Sequence, residues 1–389
     1  MTTVAVVGTG FIGPVHAEAL HRIGVSVRGV LGSSPEKSRQ AAQQMGLAVA
    51  YENFQQIIDD ATVDGVHLAT PNKTHFEMAT KALQAGKHVV CEKPLAMDAT
   101  ETAQLVEIAR AHPHLITAVN YNYRFYPLAL QAHEIVQSGE LGEIYTVRGG
   151  YQQDWLLYDT DWNWRLVPDE GGELRAVGDI GTHWMDLMSF ITGLKVQSLL
   201  ADLHTFVSPR KKPRQAVATF KSKEQSSPAQ DATQNEVYDN VDIQTEDWGS
   251  VLFQYAGGAR GCMNVSQVHA GRKNQLTFEI AGSKAAIAWN GERPNELWIG
   301  RRDRPNEILI KDPSLLSGAA LAHSSYPGGH AEGFADSFKQ LYRAIYDYLA
   351  NGNFDAPKPF PTFEDGHLEV LLCDTILKSH RERRWVDLG

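Results

Sequence analysis

Several features that mark whole protein classes are missing or scarce in this chain. Only three cysteines, Cys91, Cys262 and Cys373, occur in 389 residues. They are odd in number, far apart and form no CxxC pair, so neither a disulfide framework nor a thiolate zinc site is indicated. No HExxH and no histidine cluster completes a metal site; metal is not expected. No apolar run approaches the roughly 20 residues of a membrane span. Basic residues are in deficit, 36 against 46 acidic, for a formal net charge of −10. That balance disfavours nucleic acid or an anionic membrane as the main partner. The N-terminus runs almost directly into an apolar strand with no basic leader, which predicts a cytoplasmic protein of a reducing compartment. There is no internal repeat.

What is present begins with Val4-Ala5-Val6-Val7, an apolar run ending at Gly8. Such a run is how a strand buried on both faces of a parallel sheet reads. A helix is predicted from about Ile12, a strand at Val27–Leu31 and a helix after Pro35. Strands follow at Val66–Ala69, His88–Cys91 and Ile116–Val119, with helices near Thr74–Gln84 and Thr100–Ala111, the latter capped by Asp98. The alternation predicts a doubly wound parallel sheet over residues 1–122. Within it Gly8-Thr9-Gly10-Phe11-Ile12-Gly13 sits between strand and helix, the context that gives a GxGxxG loop its meaning. Gly8 permits the tight turn, Gly10 the approach of a pyrophosphate and Gly13 close helix packing.

An acidic residue that would hold a ribose 2′-hydroxyl is expected about 20 residues on. The strand instead ends Leu31-Gly32-Ser33-Ser34, with Lys37 and Arg39 following. Hydroxyls plus a cation suit a 2′-phosphate and favour NADP over NAD, unless the two cations merely face solvent.

Two further strings carry chemistry. Glu92-Lys93-Pro94 places a lysine at the carboxyl edge of a strand, where open α/β folds bind ligands. Pro94 keeps Lys93 out of helical geometry. Gly178-Asp179-Ile180-Gly181-Thr182-His183 spaces Asp179 and His183 one helical turn apart. Lys93 can hold a reacting oxygen. His183, near its ordinary pKa of about 6.5, can exchange the hydroxyl proton, with Asp179 in support and Asp186 behind it. A buried histidine beside a capping aspartate is the bland alternative.

Taken in order, the glycine loop, Ala69-Thr70-Pro71-Asn72 with His75, Glu92-Lys93-Pro94, Asn122-Tyr123-Arg124-Phe125 and the Asp179–His183 segment resemble the family of glucose–fructose oxidoreductase, inositol dehydrogenase and rhizopine-catabolism proteins. The resemblance implies an N-terminal Rossmann domain, residues 1–122, and a C-terminal α/β domain, residues 123–389, built on a large, open, mostly antiparallel sheet. It implies cofactor contacts from Gly8, Gly10, Phe11, Ile12, Gly13, Ser33, Ser34, Lys37, Thr70, Pro71, Asn72, His75, Glu92, Lys93 and Arg124. A cis Lys93–Pro94 bond and a homodimer or homotetramer formed through the sheet face belong to the same implication. Asp161-Trp162-Asn163-Trp164-Arg165 is similar to the branch acting on inositols and hexoses. Trp155, Trp162, Trp164 and Arg165 are therefore substrate candidates beside Asp179 and His183, with His323, Tyr326 and His330 behind them.

The expected activity is NAD(P)-dependent oxidation or reduction of a secondary hydroxyl of a sugar, sugar derivative or cyclitol. The alternatives are an NAD-dependent glycosidase, a sugar–sugar hydride-swapping enzyme with tightly held cofactor, and a non-catalytic NAD(P) sensor. Beyond residue 122 the alternating stretches Glu143–Arg148, Ser250–Tyr255 and Leu276–Ala281 predict strands. Ser208–Gln234, with six basic residues from Arg210 to Lys223, reads as a solvated loop joining two strands of the large sheet. Helices are expected at about Glu332–Tyr348 and Leu368–Ser379.

Overall fold

A computed structural model describes residues 2–214 and 238–388. The N-terminal part alternates strand and helix: β1 Thr3–Val7, α1 Ile12–Arg22, β2 Ser26–Leu31, α2 Pro35–Met45, β3 Val49–Tyr51, α3 Phe54–Asp59, β4 Gly65–Leu68, α4 His75–Gln84, β5 His88–Cys91, α5 Ala99–Ala111 and β6 Thr117–Val119. The six strands pair in parallel in the order β3-β2-β1-β4-β5-β6. Apolar side chains fill both faces, which is why these strands lack polar alternation. The sequence reading missed β3 and α3, which are too short to show periodicity.

The second part comprises α6 Pro127–Gln137, β7 Ile144–Gln152, α7 Pro168–Gly171, α8 Thr182–Thr192, β8 Val196–His204, β9 Arg210–Pro213, β10 Tyr238–Val241, β11 Trp248–Tyr255, β12 Arg260–Ser266, β13 Gln275–Gly282, β14 Ala286–Asn290, β15 Glu296–Gly300, β16 Glu307–Ile310, α9 Gly318–Ala322, α10 Phe334–Asn351, α11 Phe363–Glu382 and β17 Val386–Asp387. Nine of its strands form one sheet in the order β16-β15-β14-β13-β7-β12-β11-β8-β17. It is antiparallel throughout except where β7 meets β12. Along β11 and β13 the inward residues Val251, Phe253, Tyr255, Leu276, Phe278 and Ile280 are buried against the helical layer. The large, mostly antiparallel sheet that was predicted is the one observed.

Sequence order and domain membership part company near the C-terminus. Helix α10 packs its Phe338, Leu341, Tyr342 and Ile345 into the core on the α1 side of the parallel sheet. Thr362, just before α11, bridges to Ala118 of β6.

Residues 208–214 depart from the expected solvated loop. β9 pairs with β10 in a separate ribbon outside the large sheet, and residues 215–234 of the predicted segment lie outside the described residues. Arg210 is wholly buried. It donates to Asp247 Oδ1 at 2.9 Å and to the carbonyls of Leu156 and Tyr158 at 2.8 Å each. Arg175 shares the same Asp247. One buried carboxylate thus bridges two guanidiniums, and the guanidiniums in turn anchor the chain at 156–158 and at 175. A basic residue beside Lys211 and Lys212 looks solvated in sequence because its partner is 37 residues away.

Removing the Asp247 charge should be costly, since breaking a buried ion pair leaves uncompensated charge at about 3–5 kcal/mol. Asp247→Asn is expected to lower the urea midpoint steeply. Arg214→Ala, which breaks an exposed pair with Asp239, should leave the midpoint within experimental scatter. Equal midpoints for the two variants would refute the anchoring role.

Candidate active site

The glycine loop has the shape that a dinucleotide phosphate requires. Gly8 adopts φ +115°, and a Cβ there would lie 2.2 Å from the Ala69 carbonyl oxygen. A Cβ on Gly13 would lie 2.1 Å from the Gly8 oxygen. Both glycines are forced by backbone packing. Gly10 differs: nothing lies within 4 Å of its Cβ position, so the space above it is open to a ligand. Phe11 is half exposed beside it and stacks on Phe334 of α10 with ring centroids 6.3 Å apart. Helix α1 starts here and directs its first N–H groups at this space. The cradle fits a pyrophosphate.

At the end of β2, Ser34 caps α2 through Lys37 N, and Lys37 Nζ donates to Ser33 Oγ at 3.1 Å. Arg39 instead pairs with Glu36 along the helix surface. Of the two cations after β2, Lys37 is the one on the serines.

Beyond β4, Thr70-Pro71-Asn72 enters a short helical turn that leads into α4. Asn72 Nδ2 donates to the Gly171 carbonyl at 2.8 Å, and Lys73 pairs with Glu170. This segment therefore holds the tryptophan-bearing loop of the second domain. His75 was expected at the cofactor. It is completely buried, with Nδ1 and Nε2 each 2.9 Å from a carbonyl oxygen, of Pro94 and Thr70. Its contacts tie the two loops together.

Lys93 follows β5 and its peptide to Pro94 is cis. The ammonium reaches across to the second domain, donating to the Asp179 carbonyl at 2.6 Å and to Asp179 Oδ1 at 2.9 Å. Arg165 Nε donates to the same Oδ1 at 2.9 Å, and Gln267 Nε2 to Oδ2 at 2.8 Å. Burial alone would raise the Asp179 pKa, but Arg165 and Lys93 hold it well below the usual carboxylate range. Gln267 has no sequence signal of its own. It sits just past β12, and only sheet pairing brings it here.

Asp179 lies in a wide π turn, Val177–Gly181, that runs directly into α8. Buried Glu246 accepts from the N–H groups of Arg175 and Val177 at the head of that turn. His183 follows one turn after Asp179 and is buried among Tyr121, Tyr123 and Tyr151, with ring centroids 5.9, 5.1 and 6.2 Å away. Burial, then the Lys93 charge, pushes its pKa well below 6.5. The imidazole is neutral at neutral pH, which corrects the expectation of an ordinary histidine. Its Nδ1 is buried without a hydrogen-bond partner.

Two other expectations change. Asp186 does not back His183: it forms a two-point pair with Arg124, which also reaches Asp365 at 2.8 Å. Arg124 consequently sits in a buried ion-pair cluster with α8 and α11. Glu92 is buried, accepting from His16, from Asn120 and from Lys93 N.

Among the substrate candidates, Arg165 lies 4.4 Å over the Trp164 ring and 6.0 Å over that of Trp155, so it joins the aromatic loop to Asp179. Trp162 packs with Leu156, Leu166 and Ile243. His330 is exposed, with Nδ1 3.3 Å from the Gly328 carbonyl of its own turn. His323 contacts Phe125 and the Ala319 carbonyl. The Tyr326 carbonyl accepts from buried Lys311. Among the described residues no group of three or more His, Cys, Asp or Glu is arranged to hold a metal ion, and no helix is long and apolar enough to cross a membrane.

A phosphate cradle opening toward a lysine, an ionised aspartate and a neutral histidine at the carboxyl edge of a parallel sheet defines a nicotinamide-dependent oxidoreductase. Comparison with known proteins agrees. Residues 2–121 match the oxidoreductase family with an NAD-binding Rossmann fold, and residues 129–288 match the C-terminal domain of the same glucose–fructose oxidoreductase, inositol dehydrogenase and rhizopine-catabolism group. The chain belongs to that family. It is 29% identical over 406 residues to the levoglucosan dehydrogenase of Pseudarthrobacter phenanthrenivorans, covering 99% of this chain and 97% of that one. A structure of levoglucosan dehydrogenase in complex with NADH and L-sorbose superposes with TM-score 0.88 at 26% identity, over 100% of this chain and 99% of the other. An inositol dehydrogenase homologue from Azotobacter vinelandii, complexed with NADH and myo-inositol, gives 0.84 at 26% identity, over 99% and 97%.

The contrast between the glycines is testable. Gly10→Ala should leave the melting temperature unchanged yet weaken dinucleotide binding by about tenfold or more, because the added methyl projects only into the cradle. Gly13→Ala should instead destabilise the fold by about 1–3 kcal/mol. Thermal unfolding beside fluorescence titration with NADH separates the two; a Gly10→Ala protein that binds normally would show that the cradle holds nothing there.

Proposed function

We propose that the protein oxidises, and in reverse forms, a secondary hydroxyl of a sugar, sugar derivative or cyclitol, using a nicotinamide dinucleotide. The observation that carries this reading is the Lys93–Asp179 bond with His183 one turn away. Residues 1–122 are assigned to cofactor binding and 123–389 to substrate binding and assembly. The glycine loop, Ser33, Ser34 and Lys37 would hold the dinucleotide. Bound there, the nicotinamide accepts or returns hydride at the carbinol carbon.

The side chains of this chain manage the proton and the oxygen. Neutral His183 takes the hydroxyl proton; Nδ1 is enclosed, which leaves Nε2 for the exchange. The Lys93 ammonium donates to the reacting oxygen and stabilises its developing charge. Asp179, ionised and held by three donors, fixes Lys93 in place. Arg165 and the Trp155 and Trp164 faces offer a hydroxyl-binding edge and an apolar platform for a polyol ring. The names of the similar proteins, levoglucosan and inositol dehydrogenases, support a ring polyol as substrate.

Lys37 on Ser33 supports acceptance of a 2′-phosphate and hence NADP over NAD, although the structural relatives named above are complexes with NADH. Lys37→Ala should raise KM for NADP by about tenfold while changing KM for NAD little. An equal change for both would remove the phosphate contact. Exposed Tyr145, Leu252, Ile308 and Ile310 on the strands of the large sheet support a homodimer or homotetramer.

Nicotinamide absorbance during turnover, over a panel of anhydrosugars, hexoses and inositols, tests the reaction. His183→Ala and Lys93→Met should each lower kcat by about 10²–10⁴. Because His183 loses its charge well below pH 6.5, kcat/KM for oxidation should stay level from pH 8 to pH 6 and fall only in more acidic solution. Full turnover by His183→Ala would end the assignment.

A further inference from the structure

Beneath the candidate site runs a chain of buried side chains that the proposed reaction does not use. Tyr346 of α10 has its hydroxyl 2.6 Å from His67 Nε2. His67 Nδ1 lies 3.1 Å from His16 Nδ1, and His16 Nε2 lies 3.0 Å from Glu92 Oε1. Both histidines are wholly buried. Their rings are nearly perpendicular, and Tyr342 and Phe338 close in on His16 and Tyr342 on His67.

Hydrogen-bond chemistry allows one neutral assignment that satisfies every link when Glu92 is ionised. The carboxylate can only accept, so His16 donates from Nε2. Its Nδ1 is then an acceptor, which makes His67 Nδ1 the donor. His67 Nε2 is left as an acceptor and takes the tyrosine O–H. Every donor in the chain points toward Glu92, and Asn120 Nδ2 and Lys93 N add two more. In that assignment His16 and His67 each donate once and accept once. Burial works against the Glu92 anion, but its contact with His16, the Lys93 charge and the Asn120 hydrogen bond lower its pKa on balance.

The position of that anion matters. Lys93 turns toward Asp179 in the second domain, whereas Glu92 turns back toward α1, whose first residues form the glycine loop. A dinucleotide that spans from the cradle at Gly10 to Lys93 must pass this edge of the sheet. We propose that the Tyr346–His67–His16 chain is a positioning device that keeps Glu92 anionic at the edge of the cofactor cleft, so that the protein binds the oxidised, positively charged nicotinamide ring in preference to the neutral reduced ring. The inference rests on the cofactor reading above. Glu92 acts through space on the ring, and the two histidines and Tyr346 act through Glu92.

The test is a ratio of affinities measured without turnover. NAD⁺ and NADH, and then NADP⁺ and NADPH, are titrated separately into wild-type protein, Glu92→Gln and Tyr346→Phe by calorimetry or tryptophan quenching. Glu92→Gln should weaken the oxidised form relative to the reduced form by about tenfold. Tyr346→Phe keeps the ring and removes only the hydroxyl, freeing His67 and then His16 to adopt the other tautomer. It should shift the ratio in the same direction by about two- to threefold. General loosening of the site would weaken both forms together and leave the ratio where it was. An unchanged ratio in folded Glu92→Gln overturns the inference while leaving the cofactor reading intact. If Glu92→Gln fails to fold, an unchanged ratio in Tyr346→Phe overturns it equally. Wild-type protein that binds none of the four dinucleotides overturns the cofactor reading and this inference with it.

Discussion

The organisation of the site depends on one interaction between the two domains, the bond from Lys93 to Asp179. Both side chains are largely enclosed, at 10% and 13% exposure. A lone buried charge on either side would be expensive, and the pair repays that cost only because its remaining hydrogen-bonding capacity is also satisfied. Lys93 comes from the carboxyl edge of a parallel sheet, Asp179 from a helical turn resting on an antiparallel one. Bringing them to 2.9 Å fixes where the cleft between the domains lies and which groups face it.

The local structure on the Asp179 side explains how a carboxylate can be delivered so accurately. In the π turn, Thr182 N–H bonds back to Val177, five residues earlier, so the turn is wider than the α-helix that follows. Lys93 uses the Asp179 carbonyl as well as its carboxylate. The turn is pinned at its start by Glu246, and the neighbouring Asp247 holds Arg175 and Arg210. Two consecutive acidic residues leading into β11 thus secure both the turn carrying Asp179 and the loop carrying the tryptophans. Four buried charges serve to place two segments of irregular backbone that hydrophobic packing alone would leave with many alternatives.

Much of this was legible in the sequence, and the boundary of legibility has a physical cause. Local rules exposed the glycine loop, the strand-end lysine and the Asp179–His183 spacing, because each depends on residues within a few positions of one another. They did not expose Gln267, Asp247 or Glu246, whose contacts are made across the sheet by residues tens of positions away. Arg124 shows the opposite case. Its motif was legible, but its guanidinium is claimed by Asp186 and Asp365, 62 and 241 residues distant. His75 likewise faces two backbone carbonyls, those of Pro94 and Thr70, that lie 19 and 5 residues away. Residue type announces what a group can do, while tertiary contacts decide whether it is left available.

Availability also bears on how the site would meet a substrate. An ammonium has three donors, and Lys93 places two on Asp179, one on the carbonyl and one on Oδ1. The third remains for a reacting oxygen. Asp179 is saturated by Lys93, Arg165 and Gln267, so it has little capacity to act as a base and its charge serves to orient Lys93. His183 is the reverse: it has no hydrogen bond at Nδ1 and is neutral in its aromatic enclosure. In the proposed reaction the aspartate therefore serves position and the histidine proton exchange, and the two environments push their pKa values in directions that suit those separate roles.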